Sequence, residues 1–344
     1  MRNFLIMGIS FLTLTSCGQG LKVEPSDHYN GNKFVNPTLK EPFSPGIKDI
    51  YEMAREGRPK WPDSIKNVCT PQLKEQLKDE DFSITFINHA TFLIQTAGLN
   101  IITDPVWAQR ASPISWIGPK RVRKPGIDID SLPHIDLILI SHNHYDHLDL
   151  ETLKIFNKKF SSQVLVPIGD KALVESVGFE NVREMDWWDS LQVSPEIKIT
   201  FTPQQHSSAR GLFDRDRSLW GSYYIEFVNQ NIFFGGDGGY SSHFVDIKNR
   251  LGAPDLAILG IGAYLPSSFM KAIHTSPAEA VQAHIDLEAK ESIGMHYGTF
   301  QLASEEYHQP IDDLKTALDV EKISHDIFYT LQEGETKVFR NNIY

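Results

Sequence analysis

Between Leu139 and His147 the chain reads Leu-Ile-Ser-His-Asn-His-Tyr-Asp-His, which sets His142, His144, Asp146 and His147 within six residues directly after an apolar run. Imidazole nitrogen and carboxylate oxygen together suit a borderline cation such as zinc, each ligand atom about 2 Å from the ion. Four ligands this close cannot share one ion without strain. A turn that sends His142 and His144 one way and Asp146 and His147 the other would serve two adjacent ions. A solvated, histidine-rich loop is the plain alternative, and loops seldom concentrate such residues at a strand end. His206, Asp237 and His296 repeat the signal singly, each after a predicted strand, and together they complete two ion sites. Asp237 lies in Gly235-Gly236-Asp237-Gly238-Gly239, where the backbone can approach closely and leave a carboxylate free to bridge. The glycines alone fit a tight turn equally well.

Strands must carry these residues. From Phe82 onward, β-branched and aromatic runs predict strands over Ile84–Ile87, Thr91–Thr96, Leu99–Thr103, Ile135–Ile140, Gln163–Pro167, Ile197–Phe201, Ser222–Val228, Ile232–Phe234, Leu256–Ile261 and Ser292–Met295. The clearest helix has Ser276 as its cap, Pro277 at its first position and Glu279 three residues after the cap, and is expected to run to about Ala289. A shorter helix is expected over Ile47–Glu56, ended by Pro59 and Pro62. About twelve short strands in two groups, each followed by helices, predict an α+β chain with two sheets sandwiched between helical layers.

The 344 residues, 41% hydrophobic and 22% charged, are enough for a sizeable core. A net charge of -11 would repel a polyanion over most of the surface and argues against nucleic acid as a partner. Arg2 precedes the apolar run Phe4–Leu14, too short to span a bilayer as a mature helix but suited to a signal peptide. Leu14-Thr15-Ser16-Cys17-Gly18 resembles a bacterial lipobox, which implies cleavage before Cys17, a lipid anchor on Cys17 and a membrane-anchored lipoprotein of the bacterial cell envelope. The expected divisions are a signal peptide over 1–17, a tether and N-terminal extension over 18–80, and the main domain over 81–344. Pro, Asn, Gly and Lys from 18 to about 45 read as the tether. With Cys17 acylated, Cys69 has no disulfide partner and a thiolate-rich metal site is excluded.

His-x-His-x-Asp-His followed by spaced His, Asp and His resembles the ligand series of the metallo-β-lactamase superfamily. Beside it stand Phe34-Val35-Asn36-Pro37, His89-Ala90-Thr91, Arg110-Ala111-Ser112-Pro113, Gly118-Pro119-Lys120-Arg121, Asp186-Trp187-Trp188, Leu219-Trp220-Gly221-Ser222, Ile261-Gly262-Ala263-Tyr264 and His296-Tyr297-Gly298-Thr299-Phe300. Spread over about residues 34 to 330, these stretches are similar to the N-acylphosphatidylethanolamine-hydrolysing phospholipase D family. The resemblance implies an αββα sandwich of the metallo-β-lactamase fold carrying two Zn2+. It implies that His142, His144 and His206 hold one zinc, that Asp146, His147 and His296 hold the other, and that Asp237 bridges them. Asp146 and His274 are implied as catalytic residues, His274 approaching the substrate phosphate, although Ile273 stands where the family has Gln.

The implied reaction is phospholipase D-type cleavage of N-acylphosphatidylethanolamine in the membrane to N-acylethanolamine and phosphatidate, by a water attacking phosphorus. A homodimer is a further expected partner. Hydrolysis of a lactone, a β-lactam or a sugar-phosphate ester stays open on the same scaffold, as does a lipoprotein that only binds. Asp237, where β-lactamases of this fold commonly place cysteine, weighs against a β-lactamase. His144, where di-iron relatives use a carboxylate, weighs against redox chemistry. Three more stretches carry two readings each. Lys120-Arg121-Val122-Arg123-Lys124 could attract anionic headgroups or be a solvated loop. Trp187 and Trp188 read as core rather than substrate wall, and Ser207–Leu219 as a loop over the site, either a lid or a plain connection.

Overall fold

A computed structural model describes residues 23–41, 43, 57–73, 77, 81–96, 98–211, 213–227 and 230–340. The expected signal peptide with Cys17 and the helix expected over Ile47–Glu56 lie outside the described residues. The first sheet is formed by β1 (Phe82–Asn88), β2 (Thr91–Thr96), β3 (Asn100–Thr103), β4 (Leu137–Leu139), β5 (Gln163–Pro167) and β6 (Val182–Met185), closed by the last strand, β14 (Thr336–Phe339), beside β1. The second is formed by β7 (Ser190–Ser194), β8 (Ile197–Thr202), β9 (Ser222–Phe227), β10 (Gln230–Phe234), β11 (Leu256–Gly260), β12 (Glu291–Met295) and β13 (Phe328–Thr330), in the spatial order 13-12-11-10-9-8-7.

Each sheet is antiparallel in one half and parallel in the other, with β3 to β6 and β10 to β13 parallel. Parallel neighbours need a long crossover, and helices supply it. α1 (Leu150–Lys159) and α2 (Lys171–Glu175) link β4 to β6; α3 (His243–Leu251), the short α4 (Ser267–Met270), α5 (Pro277–Asp286) and α6 (Gln309–Glu321) link β10 to β13. Burial alternates along the first sheet as its pleat requires. Ile84, Phe86, Ile94, Ile101, Leu137, Leu139 and Leu165 face the second sheet, whereas Ile87, Leu93, Ile102, Ile138, Val164 and Val166 face α1 and α2. Both faces of the sheet are therefore sealed from water, as the expected αββα sandwich requires.

All ten predicted strands form. The four unpredicted ones, β6, β7, β13 and β14, are the four edges of the two sheets. Edge strands are short and partly polar, as in Ser190-Leu191-Gln192-Val193-Ser194, so they leave no apolar run to read. Ser276 caps α5 with the expected capping box, but the helix ends at Asp286 rather than near Ala289 because Glu288 turns to a φ of 50°. Residues 23–41 do not lead away as a tether. Phe34 is buried in the core, its N–H donates to the Asp216 carbonyl at 2.8 Å, and His28 bonds Asp186 at 2.7 Å.

Candidate metal centre

Six strands deliver the polar cluster from their C-terminal ends: β1 to His89, β3 to Asp104, β4 to the loop Ser141–His147, β8 to His206, β10 to Asp237 and β12 to His296. Open sheets place ligands there because chains leaving neighbouring strands converge on one crevice. His89 and His296 turn through the left-handed region, with φ of 49° and 63°, and the His296 N–H donates to the His89 carbonyl at 2.9 Å. The glycines beside Asp237 serve close approach. Gly236 has a φ of +57°, and a Cβ on it would lie 2.8 Å from the Ser141 Cβ and 2.9 Å from the Gly221 carbonyl oxygen.

The side chains form two groups that meet at Asp237. His142, His144 and His206 make the first, with His144 Nδ1 at 2.9 Å from His142 Nε2 and 3.2 Å from His206 Nε2. Asp146, His147 and His296 make the second, joined by His89. Asp237 Oδ2 stands 2.9 Å from His296 Nε2, 3.1 Å from His147 Nε2 and 4.0 Å from His142 Nε2. His274 Nδ1 is 3.8 Å from the same oxygen. The structure thus brings together all eight residues singled out from sequence: His142, His144, Asp146, His147, His206, Asp237, His274 and His296.

Their proton positions follow from the groups behind them. His206 Nδ1–H donates to the Ile273 carbonyl at 2.7 Å, which leaves Nε2 as a lone pair. Ser141 Oγ–H donates to Asp104 Oδ2 at 2.6 Å, so the same Oγ accepts from His142 Nδ1–H at 2.9 Å and His142 also presents a bare Nε2. His147 Nδ1–H donates to Asp104 at 2.7 Å. Lone pairs of His142 and His206 therefore converge on His144, which has a single proton to offer them, a clash that a cation relieves. Asp237 Oδ1 is also buried without a hydrogen-bond partner among the described residues. This donor set fits a metal.

Burial, reinforced by neighbouring imidazoles, holds His142 and His206 well below the usual histidine range. Burial also lowers His144 to about 4 and His274 to about 4. These rings are neutral and open to a cation. Burial alone would raise Asp237, yet the imidazoles of His147 and His296 keep it well below the carboxylate range. Burial would lower His296 and His147 too, but Asp237 and Asp146 together, joined at His147 by Asp104, outweigh it, raising His296 to about 9 and His147 well above the histidine range. Those two rings carry the protons that a metal must displace.

Sequence reasoning passed over three residues of this centre. His89 Nε2 lies 2.9 Å from Asp146 Oδ2, Asp104 orients Ser141 and His147, and Asn36 clamps the main chain of His206 through Oδ1 at 3.1 Å and Nδ2 at 2.7 Å. Asn36 and His89 sit in stretches that carried the family resemblance, and Asp104 ends a strand; those were the available signals. The carbonyl of Ile273, not its side chain, bonds His206, so the missing Gln leaves that contact intact. Arg210 of the loop Ser207–Leu219 donates Nη1 to the carbonyls of Asn143 and Leu148, each at 2.8 Å, and stacks on Tyr145. The loop is latched to the ligand turn. In the basic run, Arg121 is buried on the carbonyls of Ala108 and Val106, and Arg123 pairs with Glu333, so neither is a free surface cation. Trp187 and Trp188 are half-buried against the core, Trp188 beneath Arg250.

The sequence profile described as "Beta-lactamase superfamily domain" matches residues 99–297, a span holding every ligand candidate from His142 to His296. Fold and site define a metallo-β-lactamase superfamily protein of the metal-dependent hydrolase kind. N-acyl-phosphatidylethanolamine-hydrolyzing phospholipase D 1 of Caenorhabditis elegans is 36% identical over 328 residues, 89% of this chain and 92% of the relative. The mitochondrial N-acyl-phosphatidylethanolamine-hydrolyzing phospholipase D of Saccharomyces cerevisiae is 33% identical over 323 residues, 92% of this chain and 68% of the relative. The chain belongs to this phospholipase D-like family of the metallo-β-lactamase superfamily. The solved structure of isothiocyanate hydrolase from Delia radicum gut bacteria superposes with a TM-score of 0.62 at 20% identity, over 75% of this chain and 99% of that one, and shows the shared fold.

Proposed function

We propose that the protein is a dinuclear zinc phosphodiesterase that cleaves N-acylphosphatidylethanolamine to N-acylethanolamine and phosphatidate. The observation that carries the two-metal part is Asp237 Oδ2 at the junction of both ligand groups; similarity over most of the chain to phospholipases named for that substrate supports the lipid. His142, His144 and His206 would hold one zinc and Asp146, His147 and His296 the other, with Asp237 between. When bound, such a pair supplies a water acidic enough to attack phosphorus near neutral pH and positive charge for the phosphoryl oxygens. Asp146 Oδ2, 3.3 Å from the fellow ligand atom His296 Nε2, would serve the zinc and is fixed by His89 at 2.9 Å, which leaves Oδ1 to orient that water. His274, neutral because of its burial, serves as an N–H donor to a phosphoryl oxygen rather than as an acid.

On the same reading Cys17 is lipidated and holds the enzyme, alone or as a homodimer, at the envelope membrane. A tethered enzyme meets its substrate at high local concentration without tight binding. Hydrolysis of mixed phospholipids in oxygen-18 water tests the reaction. The label is expected in phosphatidate and absent from N-acylethanolamine, with close to two equivalents of zinc on the active protein. Label in the alcohol would mean attack at carbon, released fatty acid an acyl hydrolase, and full activity without metal would end the reading.

A further inference from the structure

A hairpin with an apolar tip rises from the rim of the metal centre. Arg110 and Lys120 pair across its base, the Ala111 N–H donates to the Pro119 carbonyl at 3.0 Å, and the Arg110 guanidinium closes on the Gly118 carbonyl. Its turn is closed as well. The Ile114 N–H bonds Ser112 Oγ at 3.2 Å, the Ile117 N–H bonds the Ile114 carbonyl at 3.3 Å, and Gly118, at a φ of +94°, packs so near Ser112 that a Cβ would come within 2.7 Å. This fixed turn presents Ile114, Trp116 and Ile117 to solvent, 42%, 75% and 51% exposed. Three exposed apolar side chains on one fixed turn make a candidate interaction surface.

Charge and position say what it meets. Residues 105–127 contain five cations and no Asp or Glu, in a chain whose net charge is -11. Among the described residues neither Arg110 nor Lys120 has a carboxylate partner. The hairpin root pairs Arg121 with Phe300, and the Val122 N–H bonds the Thr299 carbonyl at 2.9 Å. Phe300 stands edge-on to His89, which touches Asp146. The hairpin is therefore rooted beside the reaction centre. Three side chains on a convex turn fall far short of the roughly 800 Å² per partner that a stable protein interface buries. Trp and Ile over a basic base suit the boundary between lipid headgroups and acyl chains.

We propose that the hairpin 110–120 seats the protein on an anionic phospholipid bilayer, with Trp116, Ile114 and Ile117 entering the headgroup boundary and Arg110 and Lys120 meeting lipid phosphates. Its purpose rests on the lipid-hydrolase reading; its detection does not. The test uses the full chain with Cys17→Ser, so that no anchor contributes, and phosphatidylcholine vesicles with and without phosphatidylglycerol. Binding is expected to be stronger on the anionic vesicles and to fall roughly tenfold in Trp116→Ala/Ile117→Ser. Brominated lipid should quench tryptophan emission in the parent and far less in Trp116→Phe, which keeps an insertable ring. Turnover of a soluble phosphodiester by both variants should be unchanged, because the tip touches no ligand. Vesicle binding equal to the parent overturns the proposal, as does a change of oligomeric state on ultracentrifugation with vesicle binding intact. Trp116-dependent docking without lipid hydrolysis would refute the substrate alone; lipid hydrolysis with Trp116-independent docking would refute this inference alone.

Discussion

Asp104→Asn is the sharpest perturbation of the centre, because it exchanges one oxygen for an amide nitrogen and touches no ligand position. Asp104 is fully buried and accepts three hydrogen bonds: from the Ser141 N–H at 2.7 Å on Oδ1, and from Ser141 Oγ–H at 2.6 Å and His147 Nδ1–H at 2.7 Å on Oδ2. An amide cannot accept all three. With its nitrogen at the Oδ1 position it faces the Ser141 N–H donor to donor, and a buried N–H without a partner costs about 1–3 kcal/mol. With its nitrogen at the Oδ2 position, His147 Nδ1 must accept. The His147 proton then moves to Nε2, and Ser141 Oγ turns its own proton toward His142, which shifts that ring in the same way. Both rings lose the lone pairs that face the metal. One orientation strands a buried donor and the other reverses two ligand rings, so metal affinity is expected to fall about 10- to 100-fold, the usual range for loss of such a supporting carboxylate. Competition against a chromogenic chelator measures it, with circular dichroism confirming the fold. Wild-type affinity in Asp104→Asn would refute the proton assignment from which the ligand atoms were deduced.

Arg210→Ala removes two charge-assisted bonds to the carbonyls of Asn143 and Leu148, so unfolding stability should drop by about 2–4 kcal/mol and metal should escape faster to a chelator. An unchanged escape rate would show that the latch does not hold the ligand turn. Metal affinity should rise with pH up to about 9, because His296 and His147 are raised by Asp237 and give up their competing protons only as pH climbs through those values; affinity flat across that window contradicts the assignment. Burial lowers His28, but its bonds to Asp186 and Asp27 prevail and raise it. Its contribution to stability is therefore full below the unfolded histidine value and lost as pH rises through the folded one. Thermal melts of His28→Ala should show the larger deficit at about pH 5.5 and the smaller in alkali.

Much of the site was legible in the chain because its cause is local. A strand must be apolar to lie in a sheet sealed on both faces, and the residues after it must leave the sheet. Ligand-type residues just after Ile138 to Ile140, after Ile232 to Phe234 and after Ile293 to Met295 thus announce themselves by order alone. The ten interior strands and the capping box of α5 were legible for the same reason. The edge strands β6, β7, β13 and β14 were not, since a strand with one neighbour needs no apolar run.

Tertiary structure alone decided which residues stand behind the ligands. His89 serves Asp146 from 57 positions away, Asp104 serves His147 from 43, and Asn36 holds His206 from 170. Asn36 and His89 stood in stretches of family resemblance and Asp104 at a strand end, but those signals mark a position without saying which side chain it serves. The same holds for Arg121, whose burial on two carbonyls subtracts it from a basic run that reads as surface. A ligand is recognised by its own chemistry, but an orienting group is recognised only by its partner, and partners are brought within bonding distance by the packing of the two sheets.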